Sequence, residues 1–354
     1  MNRYWWSRLP LVALMLTFLP ACSGGGGDGK IKVAIVSNNP EEFWTFAEAG
    51  AKKAAKDLDV EATFRKPDKG DVSVQMDIVN ALVKQGIKGI AVSVINPVEQ
   101  APDLKQIASK VKLITMDNDA DGSDRICYIG TDNYAAGRQV GRLVKEVQPD
   151  GGDIAIFVGM ASPLNARERF WGVIDELAGT PGKRTDFPDP KVEGPVGNYT
   201  LYRNSAVTDS ANREKAKENA QQALAQIGTK EKVCFVGLWA YNPPKILEAV
   251  RSDAKFKHVK IVGFDEDWDT LDGIDKGEIH ATVVQDPFEF GYQSVVVLTA
   301  EAKGDTSKRI KAGIPFRIVT KDGGETKTID GVAIKNLKAT QFRDDLKKLL
   351  ESAK

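Results

Sequence analysis

From Ile31 onward the chain repeats one unit: a short apolar run rich in β-branched residues, then a polar stretch with apolar residues at helical spacing. Ile31–Val36 is the first run, and Phe43, Phe46, Ala47, Gly50, Ala51, Ala54 and Leu58 follow on one helical face. Val60–Phe64 alternates as a strand does. Ile78, Val79, Leu82 and Val83 mark the next helix, and Gly89–Val94 the next buried strand. A helix to about Ser109 and the strand Lys112–Met116 complete the first half. Strands apolar on both faces must be covered on both, so short connections of this kind predict a parallel sheet between two layers of helices.

A second alternation begins near Gly130. Tyr134–Val147, Asn165–Leu177 and Asn212–Gln226 carry helical spacing, as do segments near 243–250 and 267–276. Asp153–Val158, Lys191–Val196, Val233–Gly237, Val259–Phe264 and Ile279–Val284 read as strands. Pro243 and Pro244 suit the first turn of a helix, where the missing N–H matters little. Tyr292–Ala302 is a further helix, and the tail from about Pro315 holds the strand-like RIVTKDG and a last helix over Gln341–Leu350. The expected fold is α/β: two doubly wound parallel-sheet lobes.

Several functions are disfavoured by composition. Lys plus Arg equals Asp plus Glu, for a formal net charge of zero, whereas general affinity for nucleic acid needs a basic excess. Two His and three Cys, with no CxxC or HxxxH spacing, leave little for a metal site, and none is expected. No GxGxxG follows the first strand and no GxxxxGK[ST] occurs, so no nucleotide cofactor is expected. The candidate nucleophiles and bases, Ser37, Cys127, His258 and His280, stand in no GxSxG-like context, which argues against catalysis. Cys127 and Cys234 lie in apolar runs and read as small buried hydrophobes rather than a disulfide.

Residues 1–21 differ from the rest. Arg3 and Arg8 precede an apolar stretch, Leu9–Leu19, too short to cross a bilayer at about 20 residues. Leu19-Pro20-Ala21-Cys22 resembles the lipobox of bacterial lipoproteins, with Cys22 as the acylated residue, and the glycine-rich 22–29 reads as a tether. That resemblance implies a protein of the periplasm or cell envelope, held at the membrane only through the lipid on Cys22.

Ligands of open α/β sheets bind beyond the carboxyl ends of the strands. Here those ends carry amides, carboxylates, arginines and aromatics. The segments VSNNPEEFW (36–44), VINPVEQ (94–100), TMDNDA (115–120), YIGTDNYAAGRQVG (128–141), NARERFWG (165–172), GLWAYN (237–242), VGFDE (262–266) and VVQDPFEFG (283–291) resemble, in order, those of the type I periplasmic sugar-binding proteins, the ribose-binding-protein-like solute receptors of ABC transporters. The resemblance covers roughly residues 30–345. It implies two lobes joined by a three-strand hinge, one of 30–130 with 287–315 and the other of 131–286 with 316–354. It also implies a monomer that captures a pentose, hexose or polyol between the lobes and delivers it to an ABC transporter permease. A receptor for a chemoreceptor or sensor kinase, or a binder of a non-sugar molecule, would present the same residues. A transcription repressor of this fold is opposed by the export signal.

Within that resemblance Asn39, Asp117, Arg167, Asn242, Asp265 and Gln285 match the hydrogen-bonding positions of the ligand site, and Phe43 and Trp44 its stacking aromatics. Trp239 and Tyr241 add apolar wall. The chemistry suits a sugar, whose rim of hydroxyls needs carboxylates, amides and a guanidinium, and whose C–H faces need aromatic rings. Asn39 before Pro40 and Asn242 before Pro243 also suit helix caps; Asp265 opens an acidic stretch; of Arg167 and Arg169 only one is expected at the ligand. Two departures stand out. Asn118 takes the place where ribose binders carry an arginine, and Glu41 and Glu42 lengthen the first loop.

Overall fold

The computed structural model describes residues 29–329 and 332–352, so the lipobox, Cys22 and most of the tether lie outside the described residues. From Ile31 the chain forms one compact unit built on two sheets.

The first sheet has the order β2-β1-β3-β4-β5, all parallel. Its strands are β1 Lys32–Val36, β2 Glu61–Arg65, β3 Gly89–Val92, β4 Lys112–Met116 and β5 Tyr128–Ile129, interleaved with the helices α1 Phe43–Leu58, α2 Val72–Lys84 and α3 Pro97–Ala108. Four of the five residues of β1 and of β4 are buried, as strands covered on both faces must be. The turn into each helix is set by a short polar side chain. Asp71 accepts from Val74 N–H, and Asn96 accepts from Val98 and Glu99 N–H with Pro97 as first helical residue.

The chain then crosses into the second lobe through α4 Asn133–Val147 and continues with β6 Gly152–Val158, α5 Leu164–Ala178, β7 Tyr199–Leu201, β8 Val207–Thr208, α6 Arg213–Ile227, β9 Val233–Gly237, α7 Asn242–Arg251, β10 Lys260–Phe264, α8 Trp268–Lys276 and β11 Ala281–Val284. It returns to the first lobe as α9 Pro287–Ala302, which packs on α1 and on β1, β3 and β4. The α1–α9 contact is so close that a Cβ on Gly50 would fall on the Phe288 carbonyl and one on Gly291 on the Ala47 carbonyl. Glycine is required at both places. A third crossing ends in β12 Arg317–Thr320, β13 Gly324–Ile329, β14 Val332–Lys338 and α10 Ala339–Ser352.

Three features differ from the sequence expectation. The second sheet, β13-β14-β12-β11-β10-β9-β6-β7 with β8 beside β6, is mixed: β12 runs antiparallel to β11 and β13 antiparallel to β14. The strand expected at Lys191–Val196 is instead part of an irregular segment between α5 and β7, where Lys191 and Val196 make only isolated bridges. It is pinned by Arg184, paired with Asp175 and stacked 4.1 Å over Trp171. The ninth helix begins at Pro287, capped by Asp286, rather than at Tyr292. Among the described residues no helix is long and apolar enough to cross a membrane, and Cys127 and Cys234 are buried and free.

Candidate functional site

The carboxyl ends of β1 and β4 face those of β6, β9 and β10 across the lobes. They enclose a cavity lined by Asn38, Asn39, Glu41, Phe43, Trp44, Asp117, Asn165, Arg169, Trp239, Ala240, Tyr241 and Asp265. It measures about 360 Å³ out to its mouth.

Two aspartates face each other here by the same local device. Asp117 follows β4 and Asp265 follows β10, and both adopt a left-handed backbone, with φ of 62° and 65°. This conformation is uncommon for residues other than glycine and is tolerated best by Asn and Asp. Each backbone N–H bonds the neighbouring strand, Asp117 to the Ile129 carbonyl at 2.9 Å and Asp265 to the Val283 carbonyl at 2.7 Å. Strain of this kind concentrates at functional sites. Asp117 accepts from Ser93 Oγ at 3.1 Å and from Asn118 Nδ2 at 2.9 Å. Asp265 accepts from Gln285 Nε2 at 2.8 Å.

Arg169 supplies the countercharge. It is 2% exposed. Its guanidinium lies 3.9 Å over the Phe264 ring, with Nη1 3.6 Å from Asp265 Oδ2. Nε donates to Asn133 Oδ1 and Nη1 to the Leu238 carbonyl. Burial pushes Asp117 up to about 6, opposed mainly by Arg169 and Ser93. Burial likewise raises Asp265, against Arg169 and Gln285. One guanidinium therefore serves two buried carboxyls in this cavity.

The aromatic walls are fixed from the first loop. Asn39 Oδ1 accepts from Trp44 Nε1 at 2.9 Å and from Glu41 N–H at 3.0 Å. This sets the Trp44 ring edge-on to Phe43, with centroids 5.1 Å apart. Opposite them, Trp239 and Tyr241 stand edge to face at 6.2 Å. Tyr241 donates to Asp209 Oδ1 at 2.5 Å, and desolvation lifts that carboxyl to about 7.

Among the described residues, two hydrogen-bonded links cross the cleft. Asn165 N–H, at the start of α5, donates to Asn118 Oδ1 at 3.2 Å. Arg213 donates from Nε and Nη2 to Glu41 Oε2 at 3.0 and 2.8 Å. Both departures noted in the sequence, Asn118 and the lengthened first loop with Glu41, thus join the lobes. Around the cavity Asn38 Oδ1, Asn165 Oδ1, Arg169 Nη2 and Trp239 Nε1 are buried without a hydrogen-bond partner in the protein, as is Gln285 Oε1 behind Asp265. Buried polar atoms are ordinarily paired, so such a gathering around one cavity marks where a polar ligand completes the network. No group of three or more His, Cys, Asp or Glu able to hold a metal ion occurs among the described residues.

Of the residues singled out by sequence, the structure brings Asn39, Phe43, Trp44, Asp117, Trp239 and Asp265 to the cavity wall. Three stand elsewhere. Arg167 does not line the cavity; Arg169 does. On α5 the buried stripe is Ala166, Phe170, Val173 and Leu177, and residue 169 falls on it while 167 does not; that spacing was readable in advance. Asn242 is committed inside its own lobe, accepting from Trp239 N–H at 3.1 Å and donating to Asp209 Oδ2 at 3.0 Å. It positions the Trp239–Tyr241 wall. Gln285 buttresses Asp265 from behind. Sequence reasoning missed Asn38, Asn165 and the structural role of Asp209.

Fold and site together define a two-lobed protein of the binding-protein class, with a small polar cavity between its lobes. A model of the periplasmic binding protein domain matches residues 32–306, and the chain belongs to that family. A ribose import binding protein of Haemophilus influenzae is 25% identical over 319 residues, covering 86% of this chain and 95% of the relative. A xylitol-binding protein of Mycolicibacterium smegmatis is 24% identical, over 82% of this chain and 78% of its own. A solute-binding protein of Burkholderia graminis, solved in complex with D-arabinose, superposes with a TM-score of 0.74 at 24% identity, covering 83% of this chain and 96% of that one.

Proposed function

We propose that this protein is an extracytoplasmic receptor that captures one sugar or polyol between its lobes and delivers it to an ABC transporter permease. The observation that carries this reading is the ring of unpartnered buried donors and acceptors between the Phe43–Trp44 and Trp239–Tyr241 walls. A polyhydroxylated ring offers donors and acceptors around its rim and apolar faces above and below, and this cavity is built with the converse. Asp117 and Asp265 accept from hydroxyls, Arg169 Nη2 donates, and the amides do both. The ligands named for the relatives, ribose, xylitol and D-arabinose, are of this class.

Closure does the work. Asp117 belongs to one lobe and Asp265 and Arg169 to the other, so a ligand touching all three binds the closed state more tightly and shifts the population toward it. Shifting two states from 1:99 to 99:1 needs about 5.5 kcal/mol of differential binding. No catalytic step enters. His258 is held by the Lys255 and Lys230 carbonyls and His280 by Glu146, and Ser37 Oγ donates to the Asn39 carbonyl. The receptor acts as a monomer, anchored through acylated Cys22 once residues 1–21 are removed.

Thermal unfolding of residues 30–354, refolded to strip carried-over ligand, tests the reading against a panel of pentoses, hexoses and polyols. A specific ligand raises the melting temperature with its concentration. A rise with one or two sugars that Asp265→Ala abolishes supports it. No rise with any panel member overturns it.

A further inference from the structure

Beside the cleft lies a second, roomier groove. Its volume out to the mouth is about 770 Å³, against about 360 Å³ for the cleft cavity. Its walls come from both lobes: Phe43 and Phe46 of α1, Trp268 and Leu271 of α8, and Leu346 and Leu350 of α10, with Glu42, Arg213 and Asp267 among the polar lining. The tail of the chain is what builds its far side. Phe43 and Ala240 line both spaces, so one wall divides them. Glu41 lines the cleft and Arg213 the groove, which puts their hydrogen-bonded pair on that boundary. Arg213 also lies 3.8 Å from Asp267, on the groove side. It can therefore leave Glu41 without losing a carboxylate partner.

We propose that the groove is a second subsite, continuous with the cleft, for an apolar substituent carried by the captured sugar, so that the ligand class extends to aryl and alkyl glycosides. This rests on the sugar reading of the cleft. The sugar ring keeps the polar cavity, and its aglycone passes the Phe43–Ala240 wall as Arg213 turns to Asp267. The aglycone then lies among Phe46, Trp268, Leu346 and Leu350. Three aromatics and three leucines suit an apolar group better than a second sugar ring. The hydroxyls of such a ring would need free polar partners, whereas Arg213 is already bonded to Glu41 and lies 3.8 Å from Asp267, and both carboxyl oxygens of Glu266 are buried.

The test is calorimetric titration with methyl and phenyl D-xylopyranosides and D-glucopyranosides, both anomers. One phenyl glycoside is expected to bind at least about tenfold tighter than its methyl counterpart, about 1.4 kcal/mol. Trp268→Ala and Leu350→Asn should each remove that gain and leave the methyl glycoside within about twofold. A phenyl glycoside no tighter than the methyl one, equal loss for both in the variants, or a disaccharide of the same sugar surpassing it, overturns the subsite. If no free sugar or methyl glycoside binds, the cleft reading fails by itself, and 4-nitrophenol alone decides the groove. Saturable quenching of fluorescence that Trp268→Phe abolishes upholds it, and no quenching overturns it.

Discussion

Arg213→Met should loosen the grip on ligand without loosening the fold. The pair it removes joins Arg213 of the second lobe to Glu41 of the first through two hydrogen bonds to one carboxylate oxygen, so parting the lobes would break it. Exposed pairs contribute about 0.2–1 kcal/mol, and hydrogen bonds to charged groups in protected settings about 1.5–3. With side chains 35% and 15% exposed, this pair falls between those cases. Discounted for solvent screening, about 1 kcal/mol is expected, or about a fivefold rise in Kd for a free monosaccharide. The loss should fall on the dissociation rate, since the contact forms after encounter. Stopped-flow fluorescence can follow it, because Trp44 and Trp239 stand in the cavity wall. Glu41→Gln should behave alike, the Glu41→Arg/Arg213→Glu exchange should recover part of the loss, and added salt should shrink the effect. Arg251→Met is the control: its pair with Glu278 at 3.0 and 2.5 Å lies wholly within the second lobe and should leave Kd unchanged. An unchanged dissociation rate in Arg213→Met, or an equal shift in the control, would refute the reasoning.

Other expectations follow from the same geometry. Arg169→Met strands Asp117 and Asp265 without their cation; about 3–5 kcal/mol of stability should be lost on denaturant titration, with binding abolished, whereas Arg167→Ala should keep Kd within about twofold. For pH, Asp117 binds its proton more tightly in the closed, ligand-free protein than when unfolded, having moved from 3.8 to about 6. Its contribution to ligand-free stability is therefore present at low pH and lost as pH rises through that window. Ligand hydroxyls favour the carboxylates, so affinity should rise with pH as Asp117 and the likewise raised Asp265 ionise, with proton release seen as buffer-dependent binding heat; Asp117→Asn should remove the part of the rise centred near pH 6 and leave the part that Asp265 contributes. Gly50→Ala drives a Cβ into the Phe288 carbonyl where α1 meets α9. It should cost about 3 kcal/mol and lower the melting temperature by several degrees, while Gly86→Ala, with nothing near its Cβ, should cost less, chiefly through its positive φ.

Much of this protein could be read from residue order, because the forces concerned are local or periodic. Continuous apolar runs become strands covered on both faces; Asp71, Asn96 and Asp286 cap helices; and the strand ends supply Asn39, Phe43, Trp44, Asp117, Trp239 and Asp265 to one wall. The hairpin over β13 and β14 escaped because residues 324–328 of the edge strand β13 are all exposed and offer no buried face to impose alternation. The segment around Lys191–Val196 misled because Val196 and Val192 pack against the core of the second lobe while the backbone makes only isolated bridges and joins no ladder.

Tertiary structure alone decided the rest. Asn242 carries an amide suited to a ligand, yet Asp209, far away in sequence, takes it. Asp117 and Asp265 share one guanidinium only because two separate sheets present their carboxyl ends to each other. Asn118 and Glu41 looked like departures in a loop and proved to be links across the cleft. Chain order and periodicity determine which faces are buried, since a local repeat either supports a strand or helix or does not. Which polar group meets which depends on contacts between distant segments, and no period encodes those.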